Sequence, residues 1–316
     1  MARIYKRHDG VLDWEESGQD RLQLPRNYHV THLLCKYTVT HTNAANAVFN
    51  DDNLFASINK VEIVGNGNKN LKSIKGTKLA LNTILSSTMM PKKVLDTTEG
   101  TGKVSEVWFL IPYSMFGTIR GHDTILNTTH YTTLDLLIDF GNKNAVGTNI
   151  EITAAKINVY SNALIGYKRN PGEVVKFFKE TQTVEPIVNT ADEHTITLPT
   201  LKLFKQFALV STVDGVRSDA VIKNVIIKSG TTIILNVPYA ALQVENLMQF
   251  KPEDKTDLKG VCIVDFMPRG FMTDCLDTRT NEFNTLELVL SVEKIGTKTD
   301  VTIFTDEIEI TNIVEA

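Results

Sequence analysis

The sequence predicts an all-β chain, built as two similar β-sandwiches in tandem with a few short helices. Three observations carry this. Apolar residues recur with a period of two in several short segments, only two segments have helical spacing, and short motifs of the first half recur in order in the second. A half-buried strand requires the period of two because successive side chains leave opposite faces of the sheet.

The elements follow in chain order. Leu33, Cys35, Tyr37 and Val39 alternate with Leu34, Lys36, Thr38 and Thr40. Val61 and Ile63 form a shorter strand, ended by Gly65-Asn66-Gly67-Asn68, whose residues tolerate the backbone of a hairpin turn. Thr77 to Leu85 sets Leu81 and Leu85 on one helical face. Leu134, Leu136, Ile138 and Phe140 alternate with Asp135, Leu137 and Asp139. In the second half, Val225 and Ile227 precede a turn at Ser229-Gly230. Tyr239 to Phe250 reads as a helix that Pro238 begins, with Ala240, Val244, Leu247 and Met248 at helical spacing. Leu286, Leu288, Leu290 and Val292 alternate with Glu287, Val289, Ser291 and Glu293.

The repeat is the most informative feature. Leu22-Gln23-Leu24-Pro25 matches Ile196-Thr197-Leu198-Pro199, 174 residues on. Residues 58–63 match 222–227 at an offset of 164, and residues 131–136 match 283–288 at 152. Ile150, Ile152, Ile157 and Val159 match Val301, Ile303, Ile308 and Ile310 at 151, each set with a phase slip that predicts β-bulges at 153–156 and 304–307. A shrinking offset with conserved order is what loop insertions in the first copy produce. The expected organisation is an N-terminal segment at 1–20, a first sandwich at 21–162, a linker at 163–190 with a turn at Lys168-Arg169-Asn170-Pro171-Gly172, and a second sandwich at 191–316. Eight or so strands in each copy suit a jelly roll. An immunoglobulin-like sandwich is disfavoured, since Trp14 and Trp108 are not framed by cysteines.

Composition narrows function. The chain has 316 residues, 42% hydrophobic and 22% charged, with a formal net charge of −4. That balance argues against a dedicated nucleic-acid surface, which needs excess Lys and Arg, and no sequence-specific nucleic-acid binding is expected. No apolar run approaches the ~20 residues of a membrane span, and the first residues lack a signal peptide's apolar core, so synthesis and folding inside a cell are expected. Cys35, Cys262 and Cys275 are odd in number, fit no zinc spacing and read as buried thiols.

Catalytic readings fare poorly. His29 and His32, three residues apart on a strand, point to opposite faces, and the second copy holds only His194, so no repeated metal set of the cupin type arises. There is no Gly-x-Ser-x-Gly elbow. Gly65-Asn66-Gly67-Asn68 lacks the Gly-Lys-Ser/Thr of a phosphate loop, and Asp51-Asp52-Asn53 lacks the rest of a calcium loop. Asp135, Asp139, Glu287 and Glu293 read as a solvated face or subunit contacts rather than an acid/base pair. No enzyme activity, metal or cofactor is expected.

The run Arg21-Leu22-Gln23-Leu24-Pro25-Arg26-Asn27-Tyr28-His29-Val30, followed by residues 58–67 and Leu71-Lys72-Ser73-Ile74, resembles the double jelly-roll major capsid proteins of tailless icosahedral viruses, notably bacteriophages with a membrane beneath the shell. The resemblance spans nearly the whole chain and rests on strand patterns and turns. It implies a homotrimer of six-sided outline that tiles an icosahedral capsid. It also implies partners in neighbouring trimers, vertex (penton) and minor capsid proteins and an internal membrane, with synthesis in the host cytoplasm and residence in the virion. The chain is short for that family, so little or no outer tower is expected; 86–103 and 114–130 are the longest candidate loops. Such proteins often carry the N-terminus on the shell's inner side, which makes Arg3, Lys6 and Arg7 candidate membrane-facing residues. A tandem carbohydrate- or receptor-binding sandwich is the alternative, though no loop concentrates Trp or Tyr.

Overall fold

The alternating residues around Cys35 form the middle of a strand of 21 residues in a computed structural model of the chain. The structure describes residues 3–87, 92–115, 121–168, 174–252, 258–280 and 283–314. Packing divides the chain into two units, 1–180 with 310–316, and 181–309.

In the first unit the elements are β1 (Arg3–Asp13), β2 (Gln19–Gln23), β3 (His29–Phe49), β4 (Ile58–Gly65), β5 (Lys69–Ile74), α1 (Gly76–Ser87), β6 (Lys93–Val94), β7 (Gly100–Pro112), β8 (Leu126–Asn127), β9 (Leu134–Phe140) and β10 (Gly147–Ile165), while β11 (Val174–Pro186) begins in the first unit and runs into the second after Glu180. One sheet runs β1-β10-β3-β7-β6, with β8 on β3, and the other runs β2-β9-β4-β5. Glu180 of β11 then pairs in parallel with Lys72 of β5. Leu33, Cys35 and Tyr37 of the first sheet pack in one buried cluster with Leu134, Leu136 and Ile138 of the second. Asn66 and Gly67 take φ angles of 54° and 75°, the two positive values that a tight hairpin between β4 and β5 demands.

The second unit holds β12 (Ala191–Leu198), β13 (Leu203–Val213), β14 (Val216–Arg217), β15 (Ile222–Ser229), β16 (Thr232–Pro238), α2 (Tyr239–Phe250), β17 (Val261–Asp265), β18 (Leu276–Asp277), β19 (Leu286–Val292) and β20 (Thr299–Val314). One sheet runs β12-β19-β15-β16. In the other, β13 takes β20 along one edge and β18, β17 and β14 in turn along the opposite edge. Leu286, Leu288 and Leu290 are buried in its core.

The two units repeat strand for strand. The order β2-β9-β4-β5 recurs as β12-β19-β15-β16, and β10-β3-β7 recurs as β20-β13-β17. Irregularities recur as well. Register shifts follow Ile58 and Ile63 on β4, and shifts follow Ile222 and Ile227 on β15, 164 residues later. Both sandwiches are jelly rolls.

Several expectations need correction. Residues 1–20 are no separate segment: β1 lines the edge of the first sheet and β2 ends the second. The stretch 163–190 is no plain linker, since it contains the end of β10 and all of β11. The turn proposed at 168–172 lies, from residue 169 on, outside the described residues, as do 88–91 and 116–120 of the two candidate outer loops and the side chain of Leu85.

The bulge expected at 153–156 is present, with Thr153 as the extra residue between Ile152 and Ala154. The one expected at 304–307 is not on β20. Lys205 of β13 is the extra residue there, opposite Asp306 and Glu307, and its counterpart is Thr31 of β3, which is skipped between Asn162 and Ala163. The fourth sequence match therefore fails. Ile157 lies opposite Tyr37 as Val301 lies opposite Ser211, so the structural offset of these last strands is 144, not 151. Residues 301–308 are all buried, so apolar spacing there carries no information about phase.

Helix α2 has the expected bounds but a different buried face. Tyr239, Leu242, Asn246 and Phe250 point inward, while Val244 and Met248 are 57% and 71% exposed. Asn246 fixes this orientation by acting like a strand residue: its Nδ2 donates to Ile263 O (2.9 Å) and its Oδ1 accepts from Ile263 N (2.7 Å). Polar Asn246 thus takes a place that hydropathy gave to Leu247.

Candidate assembly surface

Alternation along β3 that buries Leu33, Cys35 and Tyr37 turns His32, Leu34 and Lys36 to the opposite side of the sheet. Register extends this outer face across neighbours. Lys36 lies between Asn158 and Trp108, Leu34 between Tyr160 and Leu110, and His32 between Asn162 and Pro112. On β1, Lys6 lies beside Asn162 and His8 beside Tyr160. Trp108 and Tyr160 stack at 6.2 Å with 23° between their planes, and the His8 ring is 5.0 Å from Tyr160. The Lys36 ammonium sits 5.7 Å from the Trp108 ring centre and 2.6 Å from Glu106 Oε1. Between them lies a hollow of about 290 Å³ lined by Lys6, His32, Leu34, Trp108, Tyr160 and Asn162. An aromatic and aliphatic face with a few charges at its margin has the composition of a protein–protein interface.

The equivalent face of the second unit is closed. Gln206, Ala208, Val210, Thr302 and Phe304 lie on the side of β13 and β20 away from the inner cluster, and all are buried. The same sheet therefore occurs twice, half-open in the first unit and covered in the second.

Burial, with the Lys6 ammonium adding to it, lowers the His32 imidazole from an ordinary 6.5 to about 4. A base held below its ordinary value contributes its full stability above pH 6.5, and that contribution is lost as the pH falls from 6.5 through 4. His32→Gln is therefore expected to lose less stability than the wild type between pH 7.5 and 4.5 in parallel urea unfolding curves. Equal losses would contradict the placement of His32.

The candidate basic residues are divided by the strand they occupy. Lys6 faces the hollow just described. Arg3 and Arg7 fall on the other phase of β1, where Arg7 Nε lies 3.6 Å from Asp9 Oδ1. Arg7 helps line a separate hollow of about 310 Å³ with Asp9, Gln23 and Arg26. The three charges do not form one cluster. The four strand carboxylates also divide. Asp135 is buried, not solvated, and accepts from Arg21 Nη2 at 2.8 Å. Glu287 and Glu293 make cross-strand pairs with Lys228 (3.3 Å) and Lys223 (3.0 Å), and Asp139 accepts from Gln19 Nε2.

Chemistry-bearing groups elsewhere are separated or masked. Among the described residues no three His, Cys, Asp or Glu side chains converge on a metal position. His29 packs on Tyr167 at 5.2 Å while His32 contacts Thr31 Oγ1 at 3.1 Å. All three thiols are buried; burial pushes Cys275 up to about 12 and raises Cys35 and Cys262 as well.

One group that sequence reading missed is a buried charge cluster in the first unit. The Lys72 ammonium pairs with Glu180 Oε2, Lys78 Nζ lies 3.9 Å from Oε1, and all three side chains are fully buried. Lys72 also sits 4.5 Å from the centre of the Phe178 ring.

No protein-family model and no curated protein sequence matches the chain. Solved structures do. The STIV MCP, from Sulfolobus Turreted Icosahedral Virus, superposes with a TM-score of 0.74 at 15% identity, covering 96% of each chain. The major capsid protein P2 from Bacteriophage PM2 gives 0.65 at 12% identity, over 99% of this chain and 98% of its own. PBCV-1 VP54 gives 0.67 at 9% identity, over 98% and 94%. The chain has the double jelly-roll fold that these structures share.

Proposed function

We propose that this chain is a structural major capsid protein. It assembles as a homotrimer that tiles an icosahedral virion shell over an internal lipid membrane, alongside vertex and minor capsid proteins, and it carries no catalytic role. The observation that carries this reading is the unequal burial of two equivalent sheets. A duplicated unit whose outer face is covered in one copy and half-open in the other suits a ring in which a second chain covers what is open. The whole-chain likeness to major capsid proteins supports the same reading. Three-fold symmetry makes each contact heterologous, one side of a chain meeting a different side of its neighbour.

Negative-stain electron microscopy of the purified protein tests this. Six-sided plates one trimer across, and closed shells when vertex partners are supplied, are expected. Single particles of monomer size that bind an immobilised glycan would favour the carbohydrate-binding alternative.

Membrane contact through Arg3, Lys6 and Arg7 remains part of the proposal, at ~1 kcal/mol per basic residue near an anionic surface, multiplied by avidity on a shell. Deleting 1–8 would strip the sheet of a paired strand, because Arg3 to His8 pair with Ile165 to Tyr160. Replacing the three with Gln keeps the strand. The variant is expected to float less with anionic liposomes at low salt than the wild type, and the two to behave alike at high salt. Equal flotation at low salt would remove the membrane role.

A further inference from the structure

Among the strands that end their sheets are β1 in the first unit and β16 in the second. Their counterparts do not. The strand that corresponds to β1 is β11, and the strand that corresponds to β16 is β5, and these two pair in parallel with Glu180 opposite Lys72. Each chain thus makes this joint once internally and keeps the two strands for a second joint at open edges.

Both edges leave apolar side chains exposed. A sheet edge offers a row of backbone donors and acceptors, and proteins that need it unpaired usually guard it with charge. β16 has no charged residue in Thr232–Pro238, and Ile233 is 58% exposed. β1 does carry charge, at Arg3, Lys6 and Arg7, yet Ile4 between them is 71% exposed and Tyr5 and Val11 are exposed as well.

We infer that β1 of one copy pairs in parallel with β16 of a second copy of this chain, repeating the β11–β5 joint between subunits. This rests on the assembly reading above and adds a strand-edge contact to the outer-face contact. The repeat also sets the register. Leu235 lies opposite Ile227 as Lys72 lies opposite Ile63, so Leu235 holds the place of Lys72. Lys6 lies opposite Asn162 on β10, whose counterpart on β20 is Asp306, and the Thr181–Thr305 hydroxyl contact of 2.6 Å sets Glu180 beside Asp306, so Glu180 holds the place of Lys6. Lys6 of one copy therefore lies opposite Leu235 of the next, and Ile4 comes beside Ile233, two residues back on each strand. The two most exposed apolar residues of these edges meet each other. Because each copy offers one β1 and one β16, the contact is head-to-tail, the kind that a closed three-membered ring requires.

The test is a disulfide. Adjacent strands run about 4.8 Å apart, within reach of an S–S bond. The native cysteines are buried and silent. Chains carrying both Ile4→Cys and Ile233→Cys are oxidised at micromolar concentration and run on a non-reducing gel, beside each single variant and a control carrying Ile4→Cys with Met248→Cys. A covalent trimer as the main species from the first pair, with singles and control at least tenfold lower, is expected. If light scattering shows trimers but the pair cross-links no better than the control, the edge joint is wrong and the assembly reading stands. If light scattering shows only monomers, both fall.

Discussion

Glu180→Ala is expected to cost about 3–5 kcal/mol of folding stability, the range for stripping a buried ion pair of one partner. The reason is burial: with the carboxylate gone, the fully buried Lys72 and Lys78 ammonium groups both lose an anion that they contact. Lys72→Met is expected to cost less, because Glu180 keeps its contact with Lys78. The measurement is equilibrium urea unfolding of the three proteins at neutral pH. A Glu180→Ala midpoint equal to that of the wild type would mean that the cluster is not buried as described.

The second large effect concerns association. The Trp108→Ala/Tyr160→Ala pair is expected to weaken trimers by about 2 kcal/mol or more per contact, roughly 30-fold, as removal of central aromatic anchors does. Both rings lie on the outer face of the sheet, stacked on each other rather than inserted into the inner cluster. Folding therefore survives, and a far-UV spectrum and unfolding curve recorded beside sedimentation velocity separate loss of association from loss of fold. Trimers as tight as the wild type would show that this face is not the interface.

What the sequence revealed follows from which residues sit between an inner core and solvent. The long strands β3, β9 and β19 were legible because one face is core and the other polar, so Leu33-Cys35-Tyr37 and Leu286-Leu288-Leu290 alternate cleanly. The β4–β5 hairpin was legible from Asn66 and Gly67. The edge strand β1 was not, because both of its faces are exposed from Arg3 to His8 and nothing alternates. Strand β11 was hidden for the opposite reason: fully buried Glu180 reads as a linker charge unless its partners Lys72 and Lys78, more than a hundred residues away, are known. The duplication was legible from three of the four matched motifs. The fourth was a coincidence of apolar spacing on a strand buried on both faces. The assembly surface itself was beyond reach of the sequence, since Leu34, Trp108 and Tyr160 join only through strand register.

The central claim is that this chain builds a closed ring of copies through the half-open sheet of its first unit. Size-exclusion chromatography with multi-angle light scattering tests it most directly, on the full chain from 0.1 to 50 µM (~ 500-fold, enough to expose dissociation at the micromolar affinities of weak complexes). The account predicts a single species at three times the 35.3 kDa of one chain, unchanged across that range. A folded species at 35.3 kDa throughout would contradict it.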